Sequence, residues 1–157
     1  MVSDEPPFEL RPVSANDFQF CWSHYRDLMK PLTIELMGSW NDAGQRQTIE
    51  QSLADTGASI IVVAGSDIGW MRIGEMETEL YLGQLYVIPL MQNRGIGTAV
   101  VRQLCERAHR ESKVLTLEVM KNNRARLLYD RLGFHVVGSS KYKLNMRWQQ
   151  GNQKSAD

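Results

Sequence analysis

Two stretches hold residues whose types and spacing can do chemistry. In Gln92-Asn93-Arg94-Gly95-Ile96-Gly97-Thr98, two glycines and an arginine follow an apolar run, Tyr81 to Ile88, that Pro89 breaks. They open a segment in which Ile96, Val100, Val101, Leu104, Cys105 and Ala108 recur at helical spacing. A strand entering a helix through such a turn presents unpaired backbone N–H groups at the positive end of the helix dipole, an anion cradle suited to phosphate. Gly95 and Gly97 lack a Cβ, so a pyrophosphate can approach the backbone, and Arg94 can add a charge-assisted bond. The same residues also read as a plain turn with a small-residue helix start. Neither G-x-x-x-x-G-K-[ST] nor a full G-x-G-x-x-G is present, which weakens nucleotide triphosphate and dinucleotide readings. The second stretch, Leu117 to Phe134, carries Asn122 as a cap, a stripe of Ala125, Leu128 and Leu132, and Gly133 as a stop. Tyr129 lies one position off that stripe. A phenol there is protonated at neutral pH and can donate its proton, or it simply fills the core.

The elements that must position these residues follow from periodicity. Phe8 to Val13 reads as a strand, with Ser14 and Asp17 as a helix-capping pair behind it. Phe18, Cys21, Trp22, Tyr25, Leu28 and Met29 mark a helix that Pro31 is expected to end. Leu32 to Trp40 reads as a short helix or an apolar loop. Asp42 and Gln45 resemble a second capping box, opening a thin-faced helix to about Leu53. Ser59–Ala64, Ile68–Gly74 and the run into Pro89 are strands joined by short turns, hence an antiparallel meander. A helix from the glycine turn to about Ser112 follows, then a strand over Val114–Met120, a helix over Asn123–Leu132, and strands at Phe134–Val137 and Tyr142–Trp148. The order is β-α-α-β-β-β-α-β-α-β-β, an α/β mixed sheet with about seven strands and four helices. The crossover around the glycine turn makes its two strands parallel.

Q-x-x-G-x-G at Gln92–Gly97 resembles the coenzyme A pyrophosphate loop of the GNAT (GCN5-related N-acetyltransferase) superfamily. Leu117, Val119, Asn122, Ala125, Leu128, Tyr129, Gly133 and Phe134 resemble the second signature block of that superfamily, in the expected element order. The resemblance spans residues 8–148 in architecture, one expected domain, and is motif-grade from about Leu82 to Phe134. It implies the GNAT acyl-CoA N-acyltransferase fold, acetyl-CoA as co-substrate, and acetyl transfer to a primary amine of a small molecule, an amino acid or a peptide N-terminus. On matched positions it implies that Leu85, Tyr86 and Val87 bind the pantetheine arm where the fourth strand splays. Gln92, Arg94, Gly95, Ile96, Gly97 and Thr98 then take the pyrophosphate, and Asn122 bonds near the pantetheine. Tyr129 becomes the general acid that protonates the leaving thiolate. Some members place a glutamate base on the fourth strand; here that position is Tyr81. Glu79 shares its face and Glu75 is close by, as bases acting through water or as plain exposed carboxylates. The resemblance puts one acceptor wall on Glu35, Met37 and Trp40 and the other on Ser139 and Ser140, with Tyr81 a further acceptor candidate, although Trp40 equally suits core packing.

Composition narrows the rest. Lys plus Arg and Asp plus Glu both number 18, so the net charge is zero and no basic tract offers itself to nucleic acid. No apolar run approaches a membrane span, and Met1–Pro7 is acidic without a signal peptide's apolar region. The chain is expected to be cytoplasmic, with residues 1–7 and 149–157 as disordered tails. Cys21 and Cys105 show no metal-ligand spacing, so no metal is expected, and neither lies in a signature block to form an acetyl-enzyme. A homodimer stays open, as does the rival reading of a non-catalytic acetyl-CoA-binding module.

Overall fold

The computed structural model describes residues 5–151. Strand β1 (Glu9–Pro12) leads through a one-turn 3-10 helix at 15–17 into α1 (Phe18–Met37), then α2 (Asp42–Ala54). The meander β2 (Ala58–Val63), β3 (Ser66–Glu75) and β4 (Glu79–Val87) precedes α3 (Ile96–Arg110). β5 (Val114–Met120), α4 (Ala125–Arg131), β6 (His135–Ser139) and β7 (Lys143–Trp148) complete the chain. The seven strands form one sheet in the order β1-β2-β3-β4-β5-β7-β6. Every neighbouring pair is antiparallel except β4 and β5, joined by the α3 crossover.

The expected capping pair forms at the start of α1: Asp17 accepts the Ser14 backbone N–H at 2.8 Å and also takes two bonds from Arg11. Those bonds, the Arg11 guanidinium first, hold the Asp17 carboxyl down at about 2. The expected stop at Pro31 does not occur, because α1 runs on to Met37 and ends at Gly38 with φ +86°. Proline removes the N–H that would bond the carbonyl four residues earlier, here that of Asp27. Pro31 and Asp27 are both exposed, so water can serve that carbonyl and the helix continues. The cap of α2 is Asn41 rather than Asp42; its side chain accepts the Gly44 N–H at 3.1 Å. As expected, α2 has a thin inner face, burying only Ile49 and Ser52.

Ala64 and Gly65, both with positive φ, form a two-residue hairpin turn between Val63 and Ser66. Positive φ at both turn positions matches the twist of the flanking strands. Alternation along the strands then divides the core. Ile61, Met71, Leu82, Leu117 and Met146 pack with Val100, Val101 and Leu104 of α3 and with Tyr129 of α4. Ile60 and Trp70 pack with Cys21, Trp22 and Ile49 on the α1–α2 face. Of the expected tails, residues 1–4 and 152–157 lie outside those described. Glu5 is placed, ion-paired with Arg102 of α3, and Pro6 sits beside Gly95.

Candidate active site

The sheet comes apart between β4 and β5. The two strands pair from Glu79↔Val114 to Leu82↔Leu117, and no further. Beyond this fork β5 pairs only with β7, and β4 only with β3. At the fork itself β4 carries a bulge: Arg72 faces Gln84 while Ile73 faces Leu82, leaving Gly83 as the extra residue. Bulges bend a strand and interrupt its pairing. The β5 side of Leu85, Tyr86 and Val87 therefore has no partner strand and borders the opening. Gly69 makes the bend feasible, since a Cβ there would lie 2.1 Å from the Tyr86 carbonyl oxygen.

The glycine turn stands at the end of the splayed strand. Gly95, with φ +82°, is the N-cap of α3, and no side chain caps the helix, so its first N–H groups point outward uncapped. The first intrahelical bond runs from Ala99 N–H to the Gly95 carbonyl at 3.0 Å. Gln92 donates its side-chain amide to the Val87 carbonyl at 2.8 Å and so fastens the turn to the strand. Arg94 is exposed, Ile96 buried, and Thr98 half-buried. A Cβ on Gly97 would meet only Leu128 Cδ2, at an ordinary 3.5 Å. Nothing inside the fold requires glycine at this position.

On the other arm, Asn122 follows β5 and donates its amide to the Leu32 carbonyl of α1 at 3.0 Å and to Glu35 at 3.4 Å. Its Oδ1 is enclosed and has no hydrogen-bond partner among the described residues. An enclosed acceptor without a donor is costly, so this atom is suited to a ligand N–H. Tyr25 of α1 packs edge-on against Tyr86 at 5.3 Å. Helix α1 thus touches both arms of the fork. Tyr129 is 7 % exposed and packs on Phe134, and burial pushes its phenol up to about 12. It lies near enough to Tyr86 to help burial raise that phenol well above the usual range.

A sequence model described as the acetyltransferase (GNAT) family matches residues 19–134. The chain belongs to that family. Acetyl transfer from acetyl-CoA is accordingly its general chemistry. Solved GNAT-like structures agree in fold. PH1933 from Pyrococcus horikoshii OT3 is 17% identical with a TM-score of 0.72, covering 92% of this chain and 99% of its own. PaiA N-acetyltransferase from Thermoplasma acidophilum, solved in complex with coenzyme A, is 16% identical with a TM-score of 0.67, covering 91% and 99%. Ard1 from Thermoplasma volcanium is 16% identical with a TM-score of 0.64, covering 90% and 96%. No curated protein matches the sequence.

Within this GNAT fold the carboxylates and acceptor residues separate. Glu79 opens β4 where the strands are still paired, three residues or about 10 Å short of the fork. Glu75 is ion-paired with Arg107 of α3. Trp40 stacks on Trp22 and donates to Asp42, which makes it part of the α1–α2 packing. Glu35 is exposed and reaches the site only through Asn122. Tyr81, half-buried, is one residue from the last pair; burial, then Glu118, raise its phenol. Glu118 was not singled out in the sequence. It is the first β5 residue past the fork, on the Tyr81 face, 3.7 Å from Lys143. Its outward place between Leu117 and Val119 was legible, but the point of strand parting was not. Among the described residues, no three His, Cys, Asp or Glu side chains gather as a metal site.

Proposed function

We propose that this chain moves acetyl from acetyl-CoA to a primary amine of a small molecule, an amino acid or a peptide N-terminus, by direct attack in a ternary complex. The fork carries the reading: β4 leaves β5 after Leu82, and the glycine turn, Asn122 and Tyr129 are grouped around the parted strands. Two features fit coenzyme A there, the unneeded Cβ space at Gly97 and the orphaned Oδ1 of Asn122. The N–H groups of Ile96, Gly97 and Thr98 hold the pyrophosphate, with Arg94 beside them. Leu85, Tyr86 and Val87 offer the strand edge that β5 leaves unpaired to the pantetheine arm, and Asn122 Oδ1 accepts an amide N–H. When bound, acetyl-CoA supplies the activated acyl group.

Tyr129 keeps its proton across the physiological range and donates it to the departing sulfur. An acceptor ammonium must first lose a proton, and Glu118, the first β5 residue past the fork, takes it, directly or through water. Burial pushes both thiols, Cys21 and Cys105, up to about 12, so neither offers a thiolate to carry the acetyl group. That supports direct transfer. The neutral composition favours small or peptide amines over nucleic acid.

Thiol release from acetyl-CoA across a panel of amines, with the acetylated product identified by mass, tests the proposal. Release with at least one amine is expected. Tight acetyl-CoA binding without release for any amine would instead make the chain a non-catalytic acetyl-CoA-binding module.

A further inference from the structure

Arg72 carries a guanidinium built into the root of the fork. It lies on the α1–α2 face of β3, opposite the bulge. Its Nε donates to Gln84 Oε1 at 2.7 Å, and Gln84 is in turn tied to Ser52 of α2 at 3.1 Å. Its Nη1 reaches Asp55 at 3.3 Å. Its Nη2 lies over Gly83, where a Cβ would come within 2.3 Å of it. The extra residue of the bulge is thus one whose missing side chain leaves room for the guanidinium. The side chain is only 22% exposed, whereas its carboxylate partner Asp55 is 44% exposed and screened by water. Two of the three nitrogens are fixed by the protein, and the third, Nη2, lies over Gly83 with no hydrogen-bond partner among the described residues. The charged and titratable groups around it are Asp55, Tyr81 and Tyr86, with Glu79 and Glu118 acting on the same Tyr81.

A guanidinium held in one orientation and partly desolvated is the donor best matched to a carboxylate. We infer that Arg72 binds a carboxylate of the acceptor, so that the preferred amine is an amino acid or another compound with amine and carboxylate on adjacent carbons. This rests on the acetyl-transfer reading above and narrows its acceptor. Gly83 directly follows Leu82, the last β4 residue paired with β5, so an acceptor whose carboxylate meets Nη2 there needs only a short reach to put its nitrogen at the parted strands. Arg72 is a specificity residue here, distinct from any group that moves protons.

The test compares leucine with isoamylamine, the same skeleton without the carboxylate, in wild type, Arg72→Met, Arg72→Lys and Asp55→Asn. A charge-assisted bond to the carboxylate is expected to favour leucine in kcat/KM by about tenfold or more. In Arg72→Met that ratio should collapse through the KM for leucine, with isoamylamine and the KM for acetyl-CoA little changed. Comparing ratios between variants cancels the different basicities of the two amines. Arg72→Lys should retain part of the preference. Asp55→Asn, which removes the competing carboxylate and leaves Arg72 in place, should increase it even if both Arg72 variants fold poorly. Equal losses for both amines would make Arg72 a brace between α2 and the sheet and overturn the inference, as would an Asp55→Asn ratio equal to or below that of wild type. Acetyl-CoA binding without transfer to any amine would overturn the acetyl-transfer reading itself, an outcome distinct from transfer without carboxylate preference.

Discussion

Replacing Tyr129 by phenylalanine separates chemistry from packing. The ring is 7 % exposed and lies 5.5 Å from Phe134, contacts that phenylalanine retains. The hydroxyl has no hydrogen-bond partner among the described residues, so its loss should change stability at neutral pH by less than about 1 kcal/mol. Turnover is another matter. Positioned proton donation is worth about 10²–10⁴-fold, and a phenol raised to about 12 is always protonated but a weaker acid, which points to the lower end. A fall of about 10² in kcat is expected, with acetyl-CoA affinity unchanged by calorimetry. The same burial has a linkage consequence. The folded phenol, at about 12, lies above an unfolded value near 10, so its stabilising share is complete below about pH 10 and is lost as pH rises through 12. The difference in unfolding free energy between wild type and Tyr129→Phe should therefore be flat to about pH 10. Above that wild type should lose up to about 3 kcal/mol relative to the variant. Denaturant titrations from pH 7 to 11.5 would follow it. An unchanged kcat where single-turnover kinetics show chemistry to be limiting would refute the acid role, and parallel stability curves would refute the burial argument.

Three further outcomes are expected. Gly97→Glu should fold normally, because its Cβ meets only Leu128 and an acidic side chain suits the first turn of α3, yet calorimetry should show most acetyl-CoA affinity gone. Gly69→Ala should cost about 2–4 kcal/mol in urea denaturation, since its Cβ would force the Tyr86 carbonyl away from a separation of 2.1 Å; a loss below about 1 kcal/mol would show the strands free to shift. Asp17, held at about 2 by Arg11, contributes stability that is present above about pH 4 and disappears as pH falls through 2. Asp17→Asn should flatten that acid limb without altering the neutral activity, as read from denaturant midpoints at pH 6 and pH 2.5.

The glycine turn, the meander and the helix of the second signature block were legible because each is local, although Asn122, expected to cap that helix, bonds to α1 instead and the N-cap is Arg124. Hydrophobic period, turn residues and a helix stop all fall within a few positions. What escaped depends on distant partners. Pro31 signals a helix end only if the freed Asp27 carbonyl lacks a partner, and its exposure shows that water is available. Trp40 is packing because α1 and α2 close on each other and stack it on Trp22. Glu79 shares a face with Tyr81 in sequence, yet the point where β4 and β5 part leaves it on the closed side. That point follows from the Gly83 bulge and the β3 register, neither written in the residues of β4 alone.

Helix α1 rests on one arm of the fork at Tyr25 and on the other at Leu32. Seven residues are two turns, about 10 Å of helix, with both contacts on nearly one side. The helix is therefore a gauge: its pitch fixes how far the two strands stand apart. A single residue inserted between Tyr25 and Leu32 would rotate one contact by about 100° and leave that arm unsupported. A stiff rod across a gap transmits force as well as distance. A group that displaced Leu32 from Asn122 would press on Tyr86 through Tyr25, so the two arms respond to one strut.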